Sequence, residues 1–189
     1  MNTESMHAGE QDKIRSPKLI ANSAAARLGM ALAVGLLLAV SRANAAATVS
    51  TADQNFILAA AQGGMTEVKL GELASTNGKR DDVKEFGQLM VKDHTAINND
   101  LKAVAAQKGV ILPDSLDAKH QGIVDKMTAL TGSEFDNAYI ADMIKDHKAD
   151  AKAFKGEFAA TQDAEIKNFL DKSIPVVEAH LKHITAMPK

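Results

Sequence analysis

Met90-Val91-Lys92-Asp93-His94 recurs as Met143-Ile144-Lys145-Asp146-His147, and each copy sits inside a long stretch of helical spacing. Around the first copy, Val83, Phe86, Met90, His94, Ile97, Leu101 and Val104 form a heptad-like stripe over residues 81–108. Around the second, Phe135, Tyr139, Met143, His147, Ala151, Phe154 and Phe158 share one face of a helix running from Gly132 to about Thr161. A pentapeptide that repeats on two apolar stripes predicts a duplicated helical hairpin, with a histidine directed inward at the same point of each half.

Two more helices complete the pattern. From Asp53 to Asn77, Phe56, Ala60, Gly63, Glu67, Leu70 and Ala74 recur at steps of four and three, with Asp53 as cap and Gly78 as terminator. A carboxylate, Glu67, therefore lies on a face meant for a partner helix. The last helix starts near Asp163 and carries Ile166, Leu170, Ile174, Val177, Leu181 and Ile184, with His180 at the edge of the stripe. Pro175 removes one backbone donor there, so the helix should bend around the core or restart. Residues 114–130 read as a shorter helix after Gly109 and Pro113, and 109–131 are long enough to carry the chain back along the bundle. The expected fold is all-α, an antiparallel four-helix bundle with an additional short crossover helix.

Residues 28–40 are uncharged and apolar, preceded by Lys13, Arg15, Lys18 and Arg27 and followed by Ala43-Asn44-Ala45. That order predicts a secretory leader over residues 1–45, cleaved near Ala45 or Ala47, or else retained as an anchor, and a periplasmic or secreted mature chain. The apolar run is shorter than the roughly 20 residues of a membrane span. Cysteine is absent, which excludes disulfides, thiol chemistry and a lipid-anchored leader. Beyond Ala45 the chain has 17 basic and 21 acidic residues, a net charge of −4 with neutral histidines. Charges of both signs interleave and aromatics are few, so no nucleic-acid surface is expected. A metal ion, a protein partner or a second copy of the chain stays open as partner.

Each long helix thus brings one titratable group to its inner side: Glu67, His94, His147 and His180. The first three fall at similar depth, and His180 is expected a turn or two away, about 5–10 Å at 1.5 Å per residue. Buried ionisable groups are costly unless paired, so one per helix suggests mutual contact. One reading is a hydrogen-bonded polar core that only sets helix register, a structural or interaction module. The other is a metal site built from facing helices, where a carboxylate and two or three imidazoles suit iron, zinc or copper. Met90 and Met143, one turn before their histidines, would add soft donors favouring copper(I), although methionine on such a stripe is usually core filler. Tyr139 either donates its hydroxyl into the cluster or carries it to the surface. Asp93 and Asp146 either orient a histidine or face water, and water is the expectation. His120 and His183 are expected to be solvated.

Phe56 with Ala59-Ala60, the run Glu67 to Ala74, Val83 to Phe86, the two pentapeptides, Phe135 to Tyr139, and Pro175 with His180-Leu181 resemble the bacterial exported family called domain of unknown function 4142 (DUF4142), labelled predicted outer-membrane proteins. The resemblance spans about residues 52–187 and implies a ferritin-like fold with no established activity. No alternating strand pattern supports a barrel. Di-iron ferritin-like proteins need Glu-x-x-His on two helices. Here Val91, Ile144 and Val177 stand three residues before His94, His147 and His180, so ferroxidase or oxygenase chemistry is disfavoured. What remains is a metal-binding, stress-related role or a non-catalytic module.

Overall fold

The computed structural model describes residues 49–188, and the leader expected over residues 1–45 lies outside them. Among the described residues five helices follow in order: α1 Thr51–Asn77, α2 Asp81–Lys108, α3 Ala118–Thr128, α4 Gly132–Ala160 and α5 Ala164–Ala186. Among the described residues no helix is long and apolar enough to cross a membrane.

The ends are set by local chemistry. Ser50, not Asp53, caps α1, its hydroxyl accepting from the Asp53 N–H, while Asp53 itself is buried. Asp117 caps α3 and Asp163 caps α5 in the same way. Gly109 closes α2 at φ +67°, the left-handed conformation in which a side chain would be strained. Gly78 stops α1 in an extended conformation instead (φ −64°), and what demands glycine there is space. A Cβ at Gly78 would sit 2.6 Å from the Ala74 carbonyl oxygen. Pro175 neither splits nor ends α5, which is continuous through it.

Tight turns make α1–α2 and α4–α5 antiparallel hairpins. The end of α1 meets the start of α4 where Asn77 Nδ2 donates to the Leu130 carbonyl (3.0 Å). The start of α2 meets the end of α5 where an Arg80 guanidinium nitrogen donates to the Pro188 carbonyl. Neighbours around the ring α1–α2–α5–α4 are therefore antiparallel, and the diagonal pairs α1/α5 and α2/α4 run parallel. The crossover through α3 makes the second diagonal possible by returning the chain to the end from which α2 started. Gln62 ties it to α1, donating to the Ser115 carbonyl (3.1 Å) and accepting from the Asp117 N–H (2.9 Å). This is the ferritin-like arrangement, an all-α antiparallel four-helix bundle with one short crossover helix.

Two apolar clusters fill the bundle. One, around Leu70, Phe86, Met90, Phe135, Tyr139 and Met143, also takes Val124 and Met127 from α3. The other joins Ile57, Leu101, Phe154, Ile166, Phe169 and Leu170. In the first half of α1 the buried stripe includes Ile57, Ala61 and Gly64, one position along from the expected Phe56, Ala60 and Gly63. Ala60-Ala61 and Gly63-Gly64 are paired like residues, so hydrophobicity could not choose between the two faces. Phe158 is also displaced from its expected place and lies exposed in the last turn of α4.

Candidate metal centre

The site begins with how closely α1 and α2 approach. A Cβ on Gly71 would lie 2.6 Å from the Gly87 carbonyl oxygen, and one on Gly87 would lie 2.6 Å from the Ala74 Cβ. With glycine at both points the backbones touch. One turn before Gly71, Glu67 of α1 meets His94 of α2, two turns after Gly87, with His94 Nδ1 2.7 Å from Glu67 Oε2.

His147 of α4 reaches the same carboxylate from the opposite side, its Nε2 3.6 Å from Glu67 Oε1. His180 of α5 completes the group, with Nδ1 3.3 Å from His94 Nε2. The three imidazole centroids are 5.2 to 5.6 Å apart. All four side chains are at most 2% exposed. The structure thus brings together every residue singled out on the inner stripes. It corrects one position: His180 lies at the centre of the buried face of α5 and in direct contact with His94, not a turn or two away along the bundle. Leu181 and Ile174, expected on that face, are only half-buried.

What each ring nitrogen touches sets its tautomer. His94 Nδ1 faces Glu67 Oε2. His180 Nε2 lies 3.0 Å from Asp93 Oδ2, and His147 Nδ1 lies 3.1 Å from the Met143 carbonyl. The Asp93 carboxylate and the Met143 carbonyl accept, so His180 Nδ1 and His147 Nε2 carry lone pairs, while His94 donates either from Nδ1 to Glu67 Oε2 or from Nε2 to His180 Nδ1 according to its tautomer. One ligand atom from each histidine lies within 4.8 Å of the others. Asp93 is a correction to the expectation of water: it is half-buried and orients His180 rather than its sequence neighbour His94.

Burial governs the charges. It holds Glu67 well above the usual carboxylate range, reinforced by Asp146 and Asp142. It pushes His94 down to about 4 against the pull of Asp150, Asp146 and Asp93. It pushes His147 down to about 3, with His94 and His180 acting in the same direction. His180 is lowered too, chiefly by burial, with Asp93 opposing. Burial thus disfavours the charged form of each of the four groups.

Glu67 Oε1, His147 Nε2 and the Tyr139 hydroxyl are buried without a hydrogen-bond partner. Tyr139 does not reach the surface; it is wholly buried and stacks on Phe135 at 5.5 Å. Met90 and Met143 are wholly buried in the apolar cluster beside it. His183 is exposed, as expected. His120 is half-buried, its ring 2.8 Å from the Asp117 carboxylate.

A family model described as a domain of unknown function, DUF4142, matches residues 38–187. The chain belongs to the DUF4142 family. Among solved structures, this DUF4142 chain is similar to a DUF305 fragment from Deinococcus radiodurans, with a TM-score of 0.63 at 10% identity over 72% of this chain and 94% of that one. It is also similar to CopM in its Cu(I)-bound form, with a TM-score of 0.59 at 18% identity over 70% and 91%. At these identities the likeness is one of fold. No curated protein sequence matches the chain.

Proposed function

We propose that this DUF4142 chain is an exported metal-binding protein that holds a transition-metal ion among Glu67, His94, His147 and His180. One observation carries the reading: three imidazoles each set one nitrogen against an oxygen of Asp93, Glu67 or the Met143 carbonyl and aim the other at the shared centre. Histidines that ligate metals are held in this way, by an acceptor on the far nitrogen. The 3.3 Å between His94 Nε2 and His180 Nδ1 also suits it. Two imidazole ligands at 2.0–2.1 Å on a tetrahedral ion stand about 3.3–3.4 Å apart.

Three imidazoles and a carboxylate suit copper, iron or zinc. The fold neighbour CopM, described in a Cu(I)-bound form, favours copper among them. A site whose four side chains are all buried suits keeping an ion, in a stress-related role, better than turning over substrate. Ligation would need Glu67 in its ionised form, against the push of burial. Export to the periplasm is supported by the basic, apolar and Ala-x-Ala segments of residues 13–45.

The test is titration of metal-free protein with Cu(I), Fe(II) and Zn(II), beside a His94→Ala/His147→Ala variant. The expected result is one tightly held ion and a raised Tm in the wild type, with neither in the variant. Equal metal content in both would overturn the proposal. The competing role, a polar core that only sets register, rests on the hydrogen-bonded chain from Glu67 through His94 and His180 to Asp93. It predicts that apolar replacements of the cluster leave stability and partner binding unchanged.

A further inference from the structure

Glu67 and His147 have a neighbour that the imidazole cluster does not use. One ligand atom from each of Glu67, Asp146 and His147 lies within 4.8 Å of the others. Glu67 and His147 are 2% and 0% exposed, and their facing atoms, Oε1 and Nε2, both lack a hydrogen-bond partner. At 3.6 Å they are too far apart to satisfy each other.

Asp146 is only half-buried, because it also lines a cavity of about 230 Å³ between α1, α3 and α4. Gly63, Thr66, His120 and Asp142 share that lining, with the exposed Lys119 and Lys145. Nothing lies within 4 Å of where a Gly63 Cβ would be, so the wall of α1 stays open at this point. Asp146 is therefore placed between the cavity and the buried pair.

We propose that Glu67, Asp146 and His147 form a second cation position, through which an ion passes from the cavity to the three imidazoles. This rests on the metal-binding reading above. Two carboxylates and one imidazole make a harder donor set than three imidazoles, suited to a divalent ion such as Mn(II), Fe(II), Co(II) or Zn(II). His147 has a single free nitrogen, since Nδ1 is taken by the Met143 carbonyl. It cannot serve both positions at once. An ion moves inward by exchanging Asp146 for His94 and His180 while His147 holds it.

Co(II) is the probe, because its visible spectrum separates tetrahedral nitrogen-rich sites from oxygen-rich ones. Wild type, Asp146→Asn, His180→Asn and the double variant are compared, with thermal melts confirming that each folds. Asp146→Asn should reach a final affinity within about threefold of wild type but load at least tenfold more slowly. His180→Asn should retain a Co(II) ion with a weak, oxygen-rich spectrum, and the double variant should lose it. Loading of Asp146→Asn at the wild-type rate, or the same residual binding in His180→Asn and the double variant, overturns the second position while leaving the imidazole site standing. Absence of Co(II) uptake by the wild type overturns the second position, and the imidazole site then stands or falls with the Cu(I), Fe(II) and Zn(II) titration.

Discussion

His180 Nε2 lies 3.0 Å from Asp93 Oδ2, joining the end of the first pentapeptide to the last helix. The contact decides which nitrogen of His180 faces His94, and it makes Asp93 a positioning residue. Replacing Asp93 with Ala should leave the fold intact and weaken metal binding about 10- to 100-fold. The shift in visible spectrum on Co(II) binding should broaden as His180 loses its fixed tautomer. An unchanged affinity and spectrum would show that Asp93 is a surface carboxylate only.

Acid should act on the metal-free cluster with a definite sign. His94 and His147 are held down to about 4 and about 3 in the fold, against 6.5 in the unfolded chain. Below 6.5 the unfolded state takes up protons that the native state refuses, so this contribution to stability is lost as pH falls. Glu67, Asp146 and Asp150, all raised, act the opposite way, gaining stability as pH falls toward their unfolded values. The histidine part is isolated by His147→Leu. Its stability relative to wild type should rise by up to about 2–3 kcal/mol between pH 6.5 and 4.5, measured by urea unfolding. A difference flat across that window would mean His147 is not held neutral.

Gly87 and Gly63 should respond oppositely to alanine. A Cβ at Gly87 would meet the Ala74 Cβ at 2.6 Å and the Gly71 carbonyl oxygen at 2.7 Å, whereas at Gly63 it would meet nothing within 4 Å. Gly87→Ala should cost about 1–3 kcal/mol through overpacking and spread Glu67 from His94. Gly63→Ala should instead add up to about 1 kcal/mol of helix stability. Denaturant melts of the two variants check both signs.

Asp136 is 2% exposed and accepts from the Lys79 N–H at 2.9 Å and the Arg80 N–H at 3.1 Å, so α4 holds the α1–α2 turn. Asp136→Ala leaves two backbone donors without their charged acceptor. A loss of about 2–3 kcal/mol in urea unfolding is expected. A loss below about 0.5 kcal/mol would mean that water replaces the carboxylate at no cost.

Periodicity was enough to mark four long helices and a crossover, to within a few residues at their ends, and to turn Glu67, His94 and His147 inward. Large apolar residues one turn away, such as Leu70, Met90 and Met143, define those faces without ambiguity. Where the stripe was built of small residues, as at Ala60-Ala61 and Gly63-Gly64, the face could only be settled by packing.

Residue pattern alone also determined which groups are costly to bury, and hence that they must meet. Only the tertiary structure decided how they meet. The depth of His180 depends on how far α5 slides along α2, and the roles of Asp93 and Asp146 depend on which helix stands opposite each carboxylate. Those are relations between segments up to 87 residues apart, set by backbone approach at Gly71 and Gly87 and by the path of the crossover. Helical spacing records the direction of a side chain about its own axis and carries no information about the offset of one axis against another.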